Sequence, residues 1–142
     1  MKPVLVTVES IQRNENGEEI TLELVSEGKF YAKDRAQYIV YEESEITGMA
    51  GVTTVIKIPE DGTVCLLRLG SLKQRQEYAV GRESRSTYET PVGIMGVTMK
   101  TYECDVALRD GVGTIRLGFD VTIEGVGANY NQVTITVRED KS

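Results

Sequence analysis

The sequence predicts an all-β protein: a single antiparallel meander that closes into a β-barrel of about eight to ten strands, with little helix. Three observations carry that prediction. Apolar residues recur with period two, most clearly where Ile115, Leu117, Phe119, Val121 and Ile123 alternate with Arg116, Gly118, Asp120 and Thr122. Asn16-Gly17, Asp61-Gly62 and Asp110-Gly111 are dipeptides that tolerate positive φ in tight hairpins. No long segment shows the i, i+3, i+4, i+7 spacing of an amphipathic helix, although Ser71 to Gln76 has room for one short helical turn.

Taken in order, Val4, Val6 and Val8 set the phase of a first strand over 3–13. After the Asn16-Gly17 turn, Ile20, Leu22 and Leu24 do the same for 18–27. A break over Lys29 to Arg35 precedes a strand at 36–46, and a second break over Thr47 to Gly51 precedes 52–58. Asp61-Gly62 separates that run from 63–69, whose two faces are both largely apolar. Strands at 75–81 and 84–90 flank Gly81-Arg82, and Thr90-Pro91-Val92-Gly93 leads into a long run at 94–108. There the apolar phase slips, with Met95, Val97 and Met99 on one parity and Tyr102, Cys104, Val106 and Leu108 on the other, so a β-bulge is expected near Lys100. The last strands are 114–124 and 132–138, the latter phased by Val133, Ile135 and Val137. Strands at this spacing without crossover helices form a meander, and closing it removes the exposed edges.

The 142 residues are expected to form one domain, 1–142, large enough to bury a core without disulfide or metal support. The 22 acidic and 16 basic residues leave a net charge of −6, which disfavours a nucleic-acid partner because such affinity rests on Lys and Arg. The absence of histidine removes the commonest general base and metal ligand, and every Ser-His or Cys-His pair with it. No cofactor or metal motif is present. The amino terminus lacks the apolar stretch of a secretory signal, no run is long enough for a membrane helix, and seven Tyr and two Phe are too few for the aromatic girdles of an outer-membrane barrel. A cytoplasmic protein without a membrane partner is expected, with Cys65 and Cys104 as reduced, half-buried thiols.

Four residues are candidates for a polar ligand site: Tyr41, Glu43, Arg68 and Tyr88. In Tyr41-Glu42-Glu43-Ser44-Glu45, alternation puts Tyr41, Glu43 and Glu45 on one face, with the two carboxylates roughly 7 Å apart. Such a pair suits acid–base work, and equally a solvated strand end. Arg68 shares a face with Val64 and Leu66. If that face points inward, the guanidinium needs a ligand anion or a carboxylate such as Glu43 or Glu45; if outward, its stem covers apolar surface and its head stays wet. Lys73, Arg75, Arg82 and Arg85, offset by Glu77 and Glu83, read as a mixed-charge surface, though Tyr78 and Tyr88 lie nearby. The glycines fit neither a dinucleotide fingerprint nor a phosphate loop and read as turns and bulges.

Tyr41-Glu42-Glu43, Gly48, Thr54, Lys57, Gly62, Arg68-x-Gly70, Gly81, Tyr88-x-Thr90-Pro91-x-Gly93 and Thr101 resemble the pattern of the YwiB-like family of bacterial proteins, over most of the chain. The resemblance implies a lipocalin-like, or calycin-like, barrel; it brings no reaction and no established site residues with it. In the wider superfamily such barrels hold a small ligand. The Gly-x-Trp signature of secreted lipocalins is absent, and so is the Arg-x-Tyr pair of intracellular fatty-acid-binding relatives. The functional expectation is a non-enzymatic barrel that binds a small, partly apolar or anionic molecule. The alternative is a structural or protein-interaction module, homo-oligomeric or bound to another protein, with its interior filled by its own side chains. A third reading is an enzyme built on Glu42, Glu43 and Glu45 with Tyr88 or Arg68.

Overall fold

The computed structural model describes residues 1–43 and 51–141. Its strands are β1 (Lys2–Asn14), β2 (Glu19–Lys33), β3 (Ala36–Glu42), β4 (Val52–Pro59), β5 (Val64–Gly70), β6 (Lys73–Tyr78), β7 (Glu83–Thr90), β8 (Gly93–Arg109), β9 (Val112–Ile123) and β10 (Gly127–Glu139). Each pairs antiparallel with the next, and β1 pairs with β10 from Val4↔Glu139 to Asn14↔Asn129, closing the barrel. The expected all-β meander and its closure are both present. Each of the ten runs read from the periodicity contains a strand, the end of the third, 44–46, lying outside the described residues.

Two local features differ from expectation and a third, the β-bulge near Lys100, is present as expected. β2 continues through the break placed at Lys29 to Arg35, because Tyr31 pairs directly with Tyr38 on β3 and their rings stack at 4.8 Å. Its turn comes later, at Asp34 and Arg35, both with positive φ. The short helical turn allowed at Ser71 to Gln76 does not form. Lys73–Tyr78 is strand β6, in which Gln74, Gln76 and Tyr78 are buried and Lys73, Arg75 and Glu77 exposed, a period of two and not of 3.6. The bulge lies two residues beyond Lys100: Thr101 faces Phe119 and Glu103 faces Gly118, which leaves Tyr102 as the extra residue. That insertion explains the phase slip in β8. Before it Val97 and Met99 point into the core, and after it Cys104, Val106 and Leu108 pack against the core.

The barrel interior divides into a packed half and a hollow half. Val4, Val6, Ile39, Ile56, Val64, Ile115 and Val137, all essentially inaccessible to solvent, fill the half nearest the chain termini. Toward the other end the inward positions change character, because the same parity that carries Val4 and Val6 continues into Val8, Ser10 and Gln12. On β10 it runs outward from Val137 and Ile135 through Val133 to Asn131 and Asn129. The expectation of an interior filled by its own side chains therefore holds for one half only. Short polar side chains and valines leave the other half open.

One seam of the wall is incomplete. β6 and β7 share two register pairs, Lys73↔Glu89 and Gln74↔Tyr88, and then diverge. The opening between them, about 350 Å³, is lined by Arg75, Glu77, Ser84, Arg85, Ser86 and Thr87.

Candidate functional site

Cross-strand register assembles the site. Gly28 pairs with Tyr41, Tyr41 with Thr54, Thr54 with Arg68, Arg68 with Gln74, Gln74 with Tyr88, and Tyr88 with Met95. This single row crosses six strand junctions from β2 to β8. Directly opposed residues lie on the same face of an antiparallel sheet, so once Tyr41 points inward the whole row does. Three of the four candidates chosen from the sequence, Tyr41, Arg68 and Tyr88, fall on it. Glu43 follows Tyr41 by two residues and faces the same way.

The row borders a cavity of about 540 Å³ that occupies the hollow half of the barrel, and Tyr41, Glu43, Arg68 and Tyr88 all line it. Leu22, Leu24, Leu66, Leu117, Phe119, Val121, Val133 and Ile135 supply apolar wall. Arg68 thus faces inward, which decides between the two orientations left open by its strand. The carboxylate partner considered for it is not Glu43: Glu43 Oε1 accepts a hydrogen bond from the Thr54 hydroxyl at 2.7 Å, and Glu43 is also hydrogen-bonded to the Tyr41 hydroxyl. Arg68 donates through Nη1 to Gln74 Oε1, and its Nε is shielded from water without a hydrogen-bond partner. Among the described residues Arg68 has no ion pair. Ser44, Glu45 and Gly48 lie outside the described residues. Glu42 is exposed, on the opposite face from Glu43.

Two buried tyrosines frame the guanidinium. Burial pushes the Tyr41 phenol well above its ordinary value of 10.0, the Glu43 carboxylate adds to the shift, and the Arg68 charge opposes it. Tyr78 is likewise raised by burial and opposed by Arg68, and its hydroxyl donates to Gln76 Oε1 at 2.7 Å. Both phenols stay protonated in the folded barrel at pH values where they ionise in the unfolded chain. Above about pH 10 the unfolded state therefore binds fewer protons than the folded one, and stability falls by about 1.4 kcal/mol per pH unit for each such tyrosine. The Cys65 and Cys104 thiols, also raised by burial, start the decline about one unit lower. Urea unfolding between pH 8.5 and 11.5 should show this slope, reduced in Tyr41→Phe by one tyrosine's share. An unchanged slope in that variant would mean that the Tyr41 phenol meets water.

Several lining residues escaped the sequence reading. Ser10, Gln12, Ser26 and Asn131 are polar residues on the apolar parity of alternating strands, the same signal that singled out Arg68. Asn131 Nδ2 is a second shielded donor without a partner, on β10, five strands from β5 in either direction around the barrel. Gln74 and Gln76 gave no signal, because β6 has no apolar phase to mark its inner face. Tyr78, a stacking candidate beside the bases of β6 and β7, is enclosed by the barrel, with its ring edge-on to Phe119 at 4.9 Å. It is not displayed beside Arg75 and Lys73, which face outward.

Comparison with known proteins places this geometry among relatives. Residues 6–135 match the family model described as a domain of unknown function, DUF1934. The chain is 25% identical over 134 residues to the uncharacterized beta-barrel protein YwiB of Bacillus subtilis (strain 168), covering 94% of this chain and 92% of that one. The crystal structure of the ywiB protein from Bacillus subtilis superposes with a TM-score of 0.86 at 24% identity, covering 99% of this chain and 93% of that one. The resemblance read from the distributed motif is thereby borne out, as is a closed antiparallel β-barrel.

Proposed function

The chain belongs to the DUF1934 family, and from that premise we propose that it is a non-catalytic binding protein that uses its barrel in a lipocalin-like way, holding a small, partly apolar molecule of anionic character in the hollow half. The observation that carries this reading is the cavity itself. Its volume of about 540 Å³ falls within the range of roughly 300–1,000 Å³ common to small-molecule sites. Apolar wall with a few convergent polar groups is the usual composition of such sites, since apolar surface supplies affinity and polar groups set orientation. A barrel whose only purpose was structural would gain stability by extending the Val, Ile and Leu packing of the closed half, at about 25 cal/mol per Å² of apolar surface buried. Four inward positions carry Ser10, Gln12, Asn129 and Asn131 instead. The two thiols are unpaired, which supports a reducing, cytoplasmic setting.

Native mass spectrometry of the purified protein, first under gentle and then under denaturing conditions, tests the reading. A reproducible extra mass that is lost on denaturation is the expected result. A bare mass, together with no thermal stabilisation by a panel of small amphiphiles, would count against it, because a ligand that binds only the folded state must raise the melting temperature.

The diverging seam between β6 and β7 favours a second reading, as an interaction module. Beyond Gln74 and Tyr88 the facing edges of β6 and β7 are unpaired with each other, which suits pairing with an extended segment of a protein partner. The same native spectrum distinguishes the two, since this reading requires a protein adduct or a dimer and not a small mass.

A further inference from the structure

Resting on the binding reading above, we infer that the cavity recognises a monocarboxylate: the carboxylate sits against Arg68 and the amide N–H groups of Gln74 and Gln76, with the apolar body of the ligand along the Leu24, Phe119 and Val133 wall.

Donors and acceptors are unevenly matched on the β5–β6 wall. Arg68 has five N–H donors, and the one hydrogen bond it makes among the described residues goes from Nη1 to the neutral Gln74 Oε1. That bond occupies the acceptor of Gln74 and leaves its amino group available. Gln76 repeats the arrangement, since its Oε1 accepts from the Tyr78 hydroxyl. Two amide side chains therefore offer donors beside a guanidinium, with their acceptors engaged internally. The Glu43 carboxylate is already hydrogen-bonded to the Thr54 and Tyr41 hydroxyls, and no carboxylate of the described residues lies within ion-pair distance of Arg68. Arg68 uses one of five donors, on a neutral acceptor, whereas the Glu43 carboxylate already holds two hydroxyl donors, so the guanidinium is the less satisfied of the two charges. The missing partner is thus an anion, not a cation.

Charge and shape narrow the anion to a carboxylate. With Nη1 engaged, the guanidinium keeps the side formed by Nε and Nη2, whose parallel N–H bonds match the two oxygens of a planar carboxylate. Because Nε is shielded, the head group must displace its cover to use both donors. A dianionic phosphate would bring a second negative charge into a cavity that also contains Glu43. Of the two head groups, the carboxylate brings the smaller charge into a cavity that Glu43 and Arg68 share.

Octanoate and 1-octanol, matched in apolar body and different in head group, test this by calorimetric titration at pH 7.5. The wild-type protein should bind octanoate at least tenfold more tightly than octanol, and Arg68→Met should lower octanoate affinity to that of octanol. Gln76→Leu should produce a smaller loss in the same direction. Equal affinity of the wild-type protein for both probes would overturn the carboxylate assignment and leave the binding reading intact, and this comparison does not depend on any variant folding. Binding of neither probe, with no extra mass in the native spectrum, would remove both.

Discussion

Gly113→Ala is expected to destabilise the barrel by about 3–5 kcal/mol, enough to leave much of the protein unfolded at 37 °C. Gly113 has φ +146, and a Cβ built on it would lie 1.9 Å from the carbonyl oxygen of Ala107. Both penalties act at once. The left-handed backbone costs an alanine about 1–3 kcal/mol on its own, and the steric conflict is with backbone that is fixed on both sides. Gly113 pairs with Leu108 on β8 and with Val137 on β10, so neither neighbour can move without breaking a ladder that closes the packed half of the barrel. Urea unfolding followed by circular dichroism provides the test. A midpoint within a few tenths molar of wild type would mean that the β8–β9 hairpin relaxes more freely than its register implies.

Ile115→Ala should cost about 3–4 kcal/mol, whereas Ile123→Ala, eight residues along the same face of the same strand, should cost about 1 kcal/mol or less. Ile115 is fully buried between Ile135 and Val106, so removing its side chain leaves a void that the packed half cannot close. Ile123 lines the existing cavity and is only partly packed against the core, so truncation enlarges a space already present and the term for a new void disappears. The contrast tests the division of the barrel directly. Similar losses at both positions, measured with unchanged m-values, would show that the hollow half is filled in solution by its own side chains.

The fold was legible because its dominant signal is local. Period-two alternation requires only that one face of each strand be apolar, and hairpin turns of the Asp110-Gly111 kind require only residues that tolerate positive φ, as both do here. Where alternation is weak the reading is looser: the strand expected at 75–81 is β6, but Lys73, Arg75, Glu77 and the two glutamines form no apolar stripe, which leaves Ser71 to Gln76 room for a helical turn that does not form. The site was legible in part for the same reason. Arg68 interrupts an apolar parity, and so do Asn131 and Ser10, but serine and asparagine also fit turns and strand ends and so give a weaker signal.

Strands, their antiparallel order and the parity of nearly every apolar residue follow from local sequence, since these depend on neighbours two to ten positions away. The assembled barrel settles which parity faces inward on β5, and that Tyr41, Thr54, Arg68, Gln74 and Tyr88 form one row. It also decided that Gln74, and not Glu43, holds the guanidinium. The reason is register: a shift of one residue between two strands reverses the face of every side chain, and register is fixed by the joint packing of all ten strands around a closed interior. Barrel closure likewise turned a set of inward polar residues into a cavity, because ten strands enclose more space than those side chains fill.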